Sequence, residues 1–167
     1  GVQTCALPIC RFHAALQQHY GLPPLQIRAS RARQRTPGVV WLGWSPPLDL
    51  DGLLGFLAAR ALPGVEVVDR ARLRMARTLG LSVAGQEHAG WFALQFDPPH
   101  ARVGLRVSEG LLPVLPAVMA RVRALLDLDA DPQAVASTLE PDLPQAGGLR
   151  VPGTVDGFEL AVRAILG

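Results

Sequence analysis

Residues 39–69 read VVWLGWSPPLDLDGLLGFLAARALPGVEVVD, and their order decides the class of fold. VVWLGW, 39–44, is rich in β-branched and aromatic residues and predicts a strand. Pro46-Pro47 ends that strand. Asp49 or Asp51 can cap a helix over roughly 51–62, because a short side-chain acceptor satisfies amides that the first turn leaves unpaired. Leu50, Leu54, Leu57 and Ala61 share one face of it, with Leu53 and Phe56 beside them. Pro63-Gly64 closes the helix, and VEVVD, 65–69, predicts a second strand.

Downstream, ARLRMARTLGLSVAG (71–85), GWFALQFD (90–97) and ARVGLRVS (101–108) each predict a strand. Glu87–Gly90 and Asp97–His100 carry the turn residues between them. Arg72, Arg74 and, nearly in step, Arg77 alternate with apolar residues, as on a strand with one wet face. In 110–128 Leu111, Leu115, Val118, Val122 and Leu125 recur at helical spacing. Asp131-Pro132 opens a further helix reaching about Leu139. The Pro- and Gly-rich stretch EPDLPQAGGLRVPG connects to a last helix, with Val155, Phe158, Val162 and Ile165 on one side. One strand, one helix, several strands and then helices, without a repeat, make an α+β domain with an antiparallel sheet.

Composition supports a packed core, since 49% of residues are hydrophobic and the mean hydropathy is +0.24. No run approaches the ~18 uncharged apolar residues of a membrane span, so no membrane partner is expected. All sixteen basic residues are Arg, and the net charge of +2 is unevenly placed. Residues 10–37 hold five Arg and no acid, which separates a basic leader from a mildly acidic body.

The first nine residues, GVQTCALPI, resemble the translation of a sequencing adapter at every position. Residues 1–9 are therefore expected to carry no function and Cys5 no chemistry, and because Cys10 is half adapter no redox compartment follows from the cysteines. In 10–37, Phe12, Leu16 and Tyr20 fall on one helical face, and Gly21 with Pro23-Pro24 ends the helix. Arg28, Arg31, Arg33 and Arg35 follow without apolar periodicity. They read either as a solvated tether or as an arm contacting phosphates.

Motifs for chemistry are sparse. Asp127, Asp129 and Asp131 open like a calcium loop, but Pro132 and Thr138 stand where such a loop needs Gly and Glu. Gly80–Gly85 lacks the spacing of a nucleophile elbow. His13, His19, His88 and His100 are not at metal-ligand spacing, so no metal or other cofactor is expected. Trp41, Trp44 and Trp91 could form an aromatic base pocket, although Trp on strands is more often core. No carboxylate stands out as catalytic.

The stretch from Trp44 resembles the N-terminal domain of the DNA-3-methyladenine glycosylase II (AlkA) family. Trp44, Pro46, Pro47, Asp49, Phe56, Leu57, Arg60, Ala61, Val65 and Glu66 fit its pattern. Leu149, Arg150, Pro152, Gly153, Asp156, Phe158, Glu159 and the run from Val162 to Gly167 resemble the entry into its helix-hairpin-helix domain. Leu48 and Leu50 depart from the family by replacing aromatics, and Met75 by replacing a Tyr. The leader, through Phe12, Leu16, Tyr20, Gly21 and Pro24, resembles the tail of an AraC-type helix-turn-helix, as in Ada-like fusions.

The resemblance implies an antiparallel sheet with helices on one face, at 38–145. It also implies the end of a helix-turn-helix at 10–37 and the start of a glycosylase domain at 146–167. Such enzymes flip an alkylated base from the duplex, and a carboxylate stabilises the charge developing on the sugar. In the family that carboxylate follows the hairpin, so no catalytic residue of this chain is implied. The chain is expected to be a cytoplasmic, monomeric part of a glycosylase fused to a regulator, inactive alone, with weak, non-specific DNA binding through the leader. The alternative is a non-enzymatic AraC-type regulator with an α+β sensing domain.

Overall fold

The computed structural model describes residues 38–139, 143 and 147–166. The strands are β1 (Val40–Gly43), β2 (Glu66–Asp69), β3 (Arg74–Val83), β4 (Gln86–Asp97) and β5 (Arg102–Val107). They form one antiparallel sheet in the order β1-β5-β4-β3-β2. Among the described residues the helices are α1 (Leu50–Ala59), α2 (Leu115–Leu125), α3 (Pro132–Leu139) and α4 (Gly157–Leu166), with 3-10 turns at Pro98–His100 and Glu109–Val114. The expected α+β class is observed.

One face of the sheet makes the core. Leu42, Met75, Leu79, Phe92, Leu94, Phe96, Val103, Leu105 and Val107 alternate inward along their strands. They join Leu53, Leu54 and Leu57 of α1 and Val118, Val122 and Leu125 of α2 in one cluster. Asp49 caps α1 as expected, accepting from the Gly52 amide at 2.9 Å. Asp131 caps α3 by accepting from the amides of Gln133 and Ala134.

Two expected boundaries move. The β3–β4 turn is Ala84-Gly85, with φ of 51° and 77°, and not Glu87–Gly90. Two consecutive positive φ values match the right-handed twist of a two-residue hairpin. Glu87–Gly90 belongs to β4. Gly90 is there because Ser108 is close: a Cβ at Gly90 would lie 2.0 Å from Ser108 Oγ, which accepts from the Trp91 amide. The helix expected over 110–128 is split, with a 3-10 segment before α2. Pro113 and Pro116 explain the break, since a helix-interior proline removes an amide donor and clashes with the preceding turn.

Asp127 ends α2 in the left-handed region, at φ 50°. The Asp127 and Leu128 amides then return to the carbonyls of Ala124 and Arg123. The three aspartates of the rejected calcium motif thus take separate tasks. Asp127 Oδ2 accepts from the Val151 amide, Asp129 pairs with Arg123, and Asp131 caps α3.

Candidate functional site

Residues that carry the family resemblance meet where 147–166 packs back on the domain. The Gly148 carbonyl accepts from the Asp49 amide at 2.8 Å. Gly148 has φ 84°, and a Cβ there would lie 2.9 Å from the Asp49 nitrogen. Arg150 donates to the Ser45 carbonyl, beside the cis Pro46–Pro47 bond. Gly153 sends its amide to the carbonyls of Ala124 and Leu125, so close that a Cβ would meet the Ala124 oxygen at 2.6 Å. Val155 is fully buried, and its carbonyl accepts from Arg121.

Beyond Val155, Asp156 begins α4 by accepting from the Glu159 amide at 3.0 Å. Glu159 and Arg163, one turn apart on α4, enter a cluster with Glu66 of β2 and Arg77 of β3. Arg77 bonds Glu66, and its second terminal nitrogen reaches Glu159 Oε2 at 2.8 Å. Arg163 lies 3.2 Å from Glu66 and also donates to the Arg60 carbonyl. The side chains of Arg77 and Glu66 are only 5% and 8% exposed, so Arg77 is not on a wet face as expected. It shares the inward parity of Met75 and Leu79 and is tolerated there because two carboxylates balance two guanidinium groups. Desolvation opposes the charge on Arg163, but Glu66 and Glu159 outweigh it and raise its pKa.

The outer side of α4 is apolar and exposed: Phe158, Ile165 and Leu166 are each at least 80% accessible. Of the four residues expected on one side of this helix, only Val155, which precedes it, is fully buried.

The opposite face of the sheet holds a shallow cavity of about 330 Å³, between Trp41 and Trp91, with Arg74 and Arg106 at its walls. The tryptophans therefore divide. Trp44 packs towards the core, 6.3 Å from the Phe96 ring. Trp41 is 46% exposed, contrary to a core reading, with the Arg102 guanidinium 4.1 Å from its ring centre.

The described carboxylates with perturbed acidity shift downward, as those of ion pairs do. His100 and Arg102 hold Asp97 below its usual value, Arg72 holds Asp69, and Arg123 holds Asp129. A general acid would need the opposite shift. Arg28, Arg31, Arg33 and Arg35 lie outside the described residues. The described residues contain no metal-binding cluster of His, Cys, Asp or Glu, and no helix long and apolar enough to cross a membrane.

The chain is 40% identical over 126 residues to DNA-3-methyladenine glycosylase 2 of Escherichia coli K12, a match covering 75% of this chain and 43% of that protein. It is 42% identical over 126 residues to a probable bifunctional transcriptional activator/DNA repair enzyme AlkA of Mycobacterium tuberculosis, covering 72% of this chain and 24% of that one. The chain thus spans less than half the length of these relatives. The AlkA N-terminal domain model matches residues 39–156, which include the whole sheet, the Trp44–Glu66 segment and the buried path to Val155; the chain belongs to the AlkA N-terminal domain family.

Proposed function

We propose that this chain is the flanking, non-catalytic part of a DNA glycosylase that excises alkylated bases in base-excision repair, in a cytoplasmic protein that also carries an AraC- or Ada-type regulator. The inverted helix α4 carries the reading. Its charged side is held by Glu66 and Arg77, while Phe158, Ile165 and Leu166 face outward. An apolar stripe of that kind suits burial against further polypeptide. In this reading 38–145 braces a catalytic domain that begins at 146–167, and residues 1–9 contribute nothing.

The bifunctional name of the mycobacterial relatives supports the regulator fusion, and the basic leader is consistent with it. Arg28, Arg31, Arg33 and Arg35 then supply weak contacts to phosphate without sequence preference. The chain alone is a monomer that releases no base. The test measures release of 3-methyladenine from alkylated duplex DNA by this chain and by the full product of its gene. Release by the longer product alone is expected. Release by the short chain would overturn the placement of chemistry elsewhere, and inactivity of a folded long product would favour the non-enzymatic regulator.

A further inference from the structure

The cavity opposite the core has a composition that the bracing role does not use. Its position follows from the register. Trp41 lies across from Gly104, Gly104 from Gln95, and Gln95 from Arg74, in one row over four strands. In the next row Arg106 pairs with Ala93, and Trp91 stands two residues from Ala93 on the same face. Gly104 and Ala93 form a low floor. A Cβ on Gly104 would meet Val39 Cγ1 at 2.9 Å and Trp41 Cζ3 at 3.1 Å, so the floor is kept low by glycine. No residue of the described helices lines the cavity, and the small apolar cluster of this face is Ala76 with Val67, Trp91 and Ala93.

The charge is one-sided. Arg106 is half-buried in the wall and makes no hydrogen bond or ion pair among the described residues. Arg74 adds a second guanidinium, bonded to Gln95. The carboxylates of this face stand at its ends, where Asp97 pairs with Arg102 and Asp69 with Arg72, while Glu87 lies near the hairpin turn. Val39 is part of the cavity's rim, and Arg35 precedes it by four residues in sequence.

We infer that this face is a docking track for single-stranded nucleic acid. Exposed indole beside guanidinium groups on an open sheet offers bases a stacking surface and phosphates a charge partner. A duplex keeps its bases stacked inside and cannot use Trp41. The two indoles are separated by two inter-strand spacings and four residue steps, about 10 Å across and about 13 Å along the sheet. A strand of several nucleotides, not one base, spans them. The inference deepens the DNA-repair reading by naming a strand-separated partner, but it does not need base release by this chain.

The test uses the full chain and a short fluorescein-labelled oligothymidylate, with the matching duplex as comparison, read by anisotropy over a salt series. Tighter binding of the single strand is expected. W41A should weaken it by about tenfold. R106Q should weaken it and make the salt dependence shallower by about 0.7 in log–log slope, with thermal unfolding little changed because Arg106 makes no hydrogen bond or ion pair among the described residues. R106Q keeps the test decisive if W41A fails to fold. A parallel variant replaces Arg28, Arg31, Arg33 and Arg35 by Gln. Loss of binding in that variant, with R106Q and W41A unchanged, would overturn the sheet track and leave the leader arm standing. Equal or tighter binding of duplex would also overturn the track. Neither result alters base release by the longer gene product, so the two readings fail separately.

Discussion

Helices α2 and α4 are nearly equal in length, at 11 and 10 residues, and each has an apolar and a charged side. They are docked in opposite senses. α2 turns Val118, Val122 and Leu125 to the sheet and leaves Arg123 to pair with Asp129 near the surface. α4 turns Glu159 and Arg163 to the sheet and leaves Phe158 and Ile165 in solvent. Periodicity reports that a helix has two sides. Which side faces the sheet depends on what the sheet presents, and next to α4 it presents Glu66 and Arg77.

The largest expected effect comes from breaking the contact that reverses α4. R77M removes the guanidinium that bridges Glu66 and Glu159, leaves the buried Glu66 with Arg163 alone, and should cost about 3–5 kcal/mol in urea unfolding. A loss below ~1 kcal/mol would mean that the cluster is not desolvated, and the contrast between the helices would collapse. On α2, L125A opens a cavity in the packed core and should cost about 2–5 kcal/mol by the same measurement. D49A removes the cap of α1 and should cost about 1 kcal/mol. I165A should change stability by less than about 0.5 kcal/mol in this chain, since the side chain is 82% exposed. A loss comparable with that of L125A would show that α4 buries its apolar side after all.

The smallest effect is on acid stability. Asp97 is held below its usual 3.8 by His100 and Arg102, so its contribution is present above that value and fades as pH falls through the lowered one. D97N should therefore lose stability near neutral pH, begin to converge with the parent as pH falls below about 4 and match it beneath the lowered pKa of Asp97, in thermal unfolding scanned against pH.

Much of this fold was legible because strand alternation and turn residues agreed. β1, α1 and β2 came from the 39–69 stretch, and Asp49 and Asp131 declared their caps. What the sequence concealed lay in close approaches between distant residues. Gly90 looked like a turn residue, but it makes room for Ser108, and the real turn sits at an alanine with no turn signature of its own. Pro113 and Pro116 did signal the break before α2 and were overridden by the leucine spacing. Arg77 resembled its exposed neighbours in sequence until Glu159, eighty-two residues later, arrived beside it. The outer cavity required the register that sets Trp41 opposite Gly104. The exposure of Phe158 had no local signal, since its heptad-like spacing was that of a core helix.

The unequal lengths of the strands have a consequence for the molecule in a crowded solution. β3 and β4, with 10 and 12 residues, are interior, whereas the two border strands, β1 and β2, have four residues each. A border strand is where unpaired amides and carbonyls could recruit a stranger's backbone, and a short border gives such a recruit few rungs to hold. The long hairpin keeps its most adhesive length paired with itself. Nascent or partly opened copies are thereby discouraged from zipping together laterally into aggregates.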